Sequence, residues 1–328
     1  MKSKAPAEIK HVCAVVVTYN IGEAFIPNFE AVRQQVGHVV VVDNGSTDDT
    51  LSVLKDLSDT YPGTLEIIHN DENNLAKAQN VGIDHARNLG FGWVLLLDHD
   101  SLATKDMVAT MLNAYNHSLN RQRIGIVAPY LDDANTCKKP RYLRAKHGVL
   151  FERVCPEDEP VLDNVLSVIA SGSLIPVSVL DNVGTMDEDF IIDYIDKDFS
   201  LRLITKGYRI MVVRNAVLKH RLGQSRDHHL LGQRITTTNH CPLRRYYIYR
   251  NRLKTWGRFV FTVPAFVVFD VMAVVYDIGR ILCYESDKLA KFSAMLAGVR
   301  DAFRGVRGTK PSLIREEKAL KAVADARK

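Results

Sequence analysis

Cysteine is scarce in this chain, and what there is does not pair. Cys13, Cys137, Cys155, Cys241 and Cys283 are odd in number and scattered, with no C-x-x-C spacing. This argues against a disulfide-stapled secreted module and a structural zinc fold, and it favours a reducing, cytoplasmic setting. A long apolar run is also missing. The most apolar tract, Phe259 to Tyr284, is broken by Pro264, Asp270, Asp277 and Arg280, whereas a spanning helix needs about 20 predominantly apolar residues. No secretory leader is expected from Met1 to Lys10, which is polar and basic. Strong charge of one sign is absent too: a net charge of +5 is too mild to imply nucleic acid as a partner. No internal repeat or low-complexity tract appears. What remains is ordinary globular material, with 46% hydrophobic and 25% charged residues over 328 positions, enough for one large domain plus appendages.

Apolar runs and helical periods alternate through about residue 130. Val12 to Val17 reads as a buried strand, and Phe25, Ile26, Phe29, Val32 and Val36 keep a helical period after it. Val39 to Val42 is the next strand, followed by the turn cluster Asp43-Asn44-Gly45-Ser46-Thr47-Asp48 and a helix with Leu51, Leu54 and Leu57 on one face. Leu65 to Ile68, a helix over Ala76 to Leu89, and the strand Trp93 to Leu97 complete the series. Strands alternating with helices predict an α/β fold, a mostly parallel Rossmann-like sheet with helices on both faces.

In such sheets, ligands gather at the carboxyl ends of strands. Three polar clusters should meet there: Thr18-Tyr19-Asn20, Asp43 with Asn44 and Ser46, and Asp98-His99-Asp100. Two carboxylates one residue apart suit Mg²⁺ or Mn²⁺ while leaving positions open for phosphate. A solvated turn, with Asp100 capping a helix that starts near Thr104, is the competing reading of that pair. Tyr19 as a packing residue, and Asp43 and Ser46 as turn formers, compete likewise. Together, an aromatic, a carboxylate able to accept from a base N–H and a carboxylate pair are the parts of a nucleoside-diphosphate site.

At these residues the chain resembles the inverting glycosyltransferase family 2, of GT-A fold, and most of all its bacterial rhamnosyltransferases. The likeness runs from Val15-Val16-Val17-Thr18-Tyr19-Asn20 through Val41-Val42-Asp43-Asn44-Gly45-Ser46-Thr47-Asp48 and Leu96-Leu97-Asp98-His99-Asp100-Ser101. It continues through Ser171-Gly172-Ser173, Phe190 to Arg202, His220 and Arg245-Tyr246-Tyr247-Ile248-Tyr249-Arg250-Asn251, covering about residues 11 to 255. It implies that Thr18, Tyr19 and Asn20 line the nucleoside pocket, that Asp43 bonds a pyrimidine base, and that Asp98 lies near ribose and metal. It further implies Asp100 as a metal ligand, with His220 as another ligand or a diphosphate contact. Asn44, Ser46, Lys77, Asn80, Ser171, Gly172, Arg245 and Arg250 fall on the substrate side, Arg250 neutralising the departing diphosphate. Asn73 to Asn80 departs from the family pattern in lacking its glycine, which bears on Asn74 and Lys77, while Asn80 still matches.

Inversion needs a base for the acceptor hydroxyl. Asp196 holds the position of the family's catalytic aspartate, with Ile195 where a Glu is usual, and Asp193 is the runner-up. Capping of the helix over about Asp198 to Lys206 competes for the same carboxylates. The expected organisation is a catalytic domain over residues 1–255 and a C-terminal helical region over 256–328. The latter is amphipathic, and from Ser286 onward it carries eleven Lys/Arg against five Asp/Glu. That pattern suits a peripheral place on the anionic inner face of a bacterial inner membrane; burial against the catalytic domain or a second subunit, as in a homodimer, competes with it. The function expected is transfer of L-rhamnose from dTDP-L-rhamnose to a saccharide or lipid-linked saccharide of a surface polysaccharide such as O-antigen. A UDP-sugar donor, or a catalytically silent scaffold, are the alternatives.

Overall fold

A computed structural model describes residues 6–133, 139–157, 159–220, 226–230, 233–237 and 239–310. The basic tail beyond residue 310 lies outside them. The chain divides into two compact units: residues 1–187 with 196–222, and residues 188–195 with 223–328.

In the first unit the expected strands form as β1 (Val12–Thr18), β2 (His38–Asp43), β3 (Leu65–His69) and β4 (Trp93–Asp98). β1 and β2 are buried along their whole length, which is why they read as unbroken apolar runs. The helices between them are α1 (Ile26–Arg33), α2 (Thr50–Thr60) and α3 (Leu75–Asn88). Leu54 and Leu57 of α2 are buried, but Leu51 is exposed, so the inward face is narrower than the sequence pattern suggested. α3 lies close enough to β1 that a Cβ on Gly82 would come within 2.2 Å of Val15 Cγ1. The residues after β4 form β5 (Leu102–Ala103), α4 (Met107–His117) and β6 (Ile124–Asp133), then the short strands β7 (Tyr142–Ala145), β8 (Phe151–Val154), β9 (Val161–Asp163) and β10 (Leu174–Pro176). α5 (Val177–Val183), α6 (Ile195–Thr205) and β11 (Arg209–His220) follow.

The main sheet runs β3-β2-β1-β4-β10-β6-β11-β5, with β9 on β11. The first four strands and the β6–β11 pair are parallel, but β10 pairs antiparallel with both β4 and β6, and β5 and β9 pair antiparallel with β11. The sheet is therefore mixed, with its long ladders parallel as expected and its short ones antiparallel. The insertion of β10 is the reason: a three-residue strand ending in Pro176 carries no periodic signal.

The second unit contains the hairpin β12 (Arg226–Leu230) and β13 (Gln233–Thr237), then α7 (Pro242–Phe259), α8 (Pro264–Tyr284) and α9 (Lys288–Phe303). α7 belongs to the same compact unit as α8 and α9. It packs on α9 so closely that a Cβ on Gly298 would come within 2.5 Å of the Tyr246 carbonyl oxygen. Among the described residues, no helix is long and apolar enough to cross a membrane.

Candidate active site at the carboxyl edge of the sheet

Register brings the first site residues into one row. Thr18 is the cross-strand partner of Asp43, and Val17 that of Asp98, so the ends of β2, β1 and β4 line up side by side. Neighbouring strands are about 4.8 Å apart, which spaces the three clusters over the width of a nucleotide.

At the β4 end, Asp98, Asp100 and His220 offer ligand atoms that all lie within 4.8 Å of one another. β11 delivers His220 as its last residue, buried, with Nδ1 at 2.8 Å from Ser101 Oγ and 3.4 Å from Asp100 Oδ1. Ser101 Oγ lies 2.6 Å from Ser171 Oγ, which accepts the Asp98 backbone N–H at 3.0 Å. Ser171 owes its position to Gly172, whose φ of +86° and contact with Pro129 leave no room for a side chain. Burial pushes the Asp98 carboxyl above its ordinary value, with His220 pulling it down and Asp100 pushing it further up. Two carboxylates and an imidazole at these separations fit a hard divalent cation, and they hold the most costly carboxylate where positive charge would stabilise it. Ser101 was given no role by sequence reasoning. The available signal was its place directly after the Asp-x-Asp pair.

At the β1 and β2 ends, Asp43 is almost fully buried and already well bonded. Its Oδ1 accepts from Thr18 Oγ1 at 3.2 Å and Ser46 Oγ at 2.5 Å, and its Oδ2 from Ser46 N at 3.0 Å. Asn20, in left-handed backbone at φ 47°, bonds Ser46 Oγ through its N–H and accepts from Thr47 N. Tyr19 between them is 41% exposed and presents its ring to solvent. Asn44 Oδ1 takes N–H bonds from Asn70 Nδ2 and Asn74 N, and its amide donates to Asn73 at 3.0 Å. Asn74 caps α3 by accepting from Lys77 N, and Lys77 Nζ pairs with Glu72 at 2.7 Å. The Asn-rich segment without its glycine is thus a cap-and-turn structure built on Asn44. Asn80 spends its amide on both backbone groups of Met186, which ties α3 to the segment leading into the acidic cluster.

That cluster separates into distinct roles. Asp198 is fully buried and bonds Arg202 Nε at 2.7 Å within α6. Asp193 receives two bonds from Arg244, both at 3.0 Å. Asp196, half-buried in the first turn of α6, accepts from Lys197 N at 2.8 Å. The arginines expected on the substrate side are correspondingly used inside the second unit. Arg245, 1% exposed, pairs with Asp277 at 2.7 Å and Glu285 at 2.9 Å. Arg250, fully buried, donates to the carbonyl oxygens of Asp189 and Gly308 and lies over the Tyr247 ring. Buried guanidinium groups need such partners.

Residues 13–164 match the family described as Glycosyl transferase family 2. The chain is similar to the dTDP-rhamnosyl transferase RfbF of Shigella flexneri, at 25% identity over 91% of this chain and 97% of that one. It is also similar to the galactofuranosyltransferase GlfT1 of Mycolicibacterium smegmatis, at 26% identity over 74% of this chain and 81% of that one. Among solved structures, the mannosyltransferase PcManGT of Pyrobaculum calidifontis, in complex with GDP-Man and Mn²⁺, shares the fold with a TM-score of 0.52, 18% identity and coverage of 97% of this chain and 84% of that one.

Proposed function

From the glycosyltransferase family 2 domain of GT-A fold that this chain carries over residues 13–164, we propose that the enzyme transfers L-rhamnose, with inversion, from dTDP-L-rhamnose to a saccharide of a surface polysaccharide such as O-antigen. The observation that carries the reaction is the cluster of Asp98, Asp100 and His220 at the carboxyl edge of the sheet, beside the polar ends of β1 and β2. The likeness to a dTDP-rhamnosyl transferase along nearly the whole of both chains supports the donor.

In this reading, Tyr19 stacks on the thymine and Asp43 receives a base N–H on the lone-pair capacity that Thr18 and Ser46 leave open. Asp98 and Asp100 would hold Mn²⁺ or Mg²⁺. His220 would complete the set, its ring held in place by the 2.8 Å contact between Nδ1 and Ser101 Oγ. The ion, when bound, supplies positive charge for the departing diphosphate. Asp196 takes the proton from the acceptor hydroxyl as that oxygen attacks the anomeric carbon opposite the leaving nucleotide. Asp196 lies in the first turn of α6, where the helix N-terminus favours negative charge.

The likeness to a galactofuranosyltransferase favours a second reading, the same chemistry with a UDP-sugar. A thermal-shift panel of dTDP-L-rhamnose, UDP-glucose, UDP-galactofuranose and GDP-mannose with Mn²⁺ separates them, since a ligand that binds only the folded state raises Tm. The largest rise is expected with dTDP-L-rhamnose. A larger rise with a UDP-sugar would reassign the donor. No rise with any sugar nucleotide would point to a silent scaffold.

A further inference from the structure

The loop that leads into α6 has a backbone its residues would not choose. Ile191, Asp193 and Tyr194 all lie in the left-handed region, at φ 56°, 61° and 66°. Left-handed backbone is uncommon outside glycine and a marked outlier for a β-branched residue such as Ile191. Three such residues within four positions persist only where surrounding contacts over-determine them. Here the second unit supplies many such contacts, chiefly from α7.

Asn251, fully buried, shares its amide N–H groups among the carbonyl oxygens of Phe190 at 2.8 Å, Ile192 at 3.0 Å and Asp193 at 3.0 Å. Arg250 donates to the Asp189 carbonyl. Arg244 clamps the Asp193 carboxylate with two bonds. Arg252 reaches the Tyr194 hydroxyl at 2.6 Å and Asp270 at 3.1 Å, and Tyr194 also donates to Asp270 at 2.8 Å. Ile191 itself is buried among Tyr246, Tyr247 and Ala294. α7, with Asp270 of α8 and Ala294 of α9, therefore supplies bonds and apolar contacts to residues 189–194. The residue that follows Tyr194 opens α6, and the next is Asp196.

We propose that Asn251 is a positioning residue: with Arg244 and Arg252 it holds the 190–194 loop in its left-handed path and so fixes where Asp196 stands when the acceptor hydroxyl is deprotonated. This rests on Asp196 being the base. It gives the Arg245 to Asn251 motif a function different from substrate contact, because the motif acts on the chain leading to the base rather than on the donor. A misplacement of a reacting group by about 1 Å can cost about 10²-fold in rate, so a loop that relaxes toward ordinary backbone is enough to lower turnover without disturbing the nucleotide edge.

A double-mutant cycle on the full chain tests this. Asn251→Ala is expected to lower kcat per nucleotide-binding site about 10- to 100-fold, with the donor KM within about three-fold of wild type. Asp196→Asn is expected to cost about 10² to 10⁴ in the wild-type background and less than about ten-fold in the Asn251→Ala background, since residues that act as a unit are not additive. If Asn251→Ala does not fold, Arg244→Gln repeats the cycle from the partly exposed end of the clamp, with a smaller loss and the same non-additivity. Multiplicative losses, or a fall in the fraction of active enzyme with unchanged kcat per site, would overturn the positioning role. Full activity of Asp196→Asn in the wild-type background would instead overturn the base assignment on which it rests.

Discussion

His240 is an imidazole that the fold keeps neutral. Burial, with the charges of Arg244 and Arg245 adding to it, lowers its pKa to about 4 from 6.5, against a smaller opposing pull from Asp193 and Glu285. In the unfolded chain the same group protonates near its ordinary value, so its contribution to stability is present above pH 6.5 and is lost as pH falls from there toward about 4. The loss is on the order of 2 kcal/mol. Thermal denaturation from pH 7 to pH 4.5 should show a steeper fall in Tm for the native chain than for His240→Gln, and parallel curves would remove His240 as a cause. Neighbouring residues show where single positions were legible. Asp98 and Asp100 could be picked out as hard ligands at a strand end and His220 through the family resemblance, and the three lie together in space. The surroundings of Arg245 and Arg250 could not be read, because a buried arginine bonded within the protein and a substrate-facing one are the same letter. Arg245 is marked by the carboxylates of Asp277 and Glu285, 32 and 40 residues further on, and Arg250 by the carbonyl oxygens of Asp189 and Gly308.

At the scale of elements, the strands buried on both faces were readable and the mixed half of the sheet was not. β1, β2 and β4 carry continuous apolar runs. β5, β9 and β10 are two or three residues long, too short for any period, and their antiparallel pairing depends on partners far along the chain. α7 hides its inward face for another reason: Arg245, Arg250, Asn251 and Arg252 occupy buried positions that an apolar pattern would mark. α8 is inverted over part of its length, although it also buries Ala265, Phe266, Val267 and Ile281. Asp270 and Asp277 are buried, paired with Arg252 and Arg245, while Val271, Met272, Val275, Tyr276 and Leu282 are exposed. A reading by amphipathicity alone places its faces the wrong way round. The energetic reason is the set of arginines on α7, which take the acidic residues inward because an unpartnered buried charge is costly.

At the scale of the whole molecule, that inversion supports the proposed peripheral place on a membrane. Of the acidic residues between 256 and 310, Asp270, Asp277, Glu285 and Asp301 are buried, whereas Lys288, Arg300, Arg304 and Arg307 remain exposed beside Phe261, Leu289, Leu296 and Phe303. Exposed apolar and basic residues on the same helices suit an anionic interface, where each basic residue contributes about 1 kcal/mol, screened by salt. Vesicle co-sedimentation should rise with anionic lipid, fall with salt, and drop at least about ten-fold for Met272→Glu/Val275→Glu, which puts charge into the apolar face. Absence of binding together with a dimer in solution would assign the face to a second copy. The central claim, however, is the cation-dependent nucleotide site, and calorimetric titration of dTDP into the native chain and Asp100→Asn, with Mn²⁺ and with EDTA, tests it most directly. The account predicts binding to the native chain that weakens at least about ten-fold in EDTA and to the same extent in Asp100→Asn with Mn²⁺. Equal affinity in all of these conditions would contradict it.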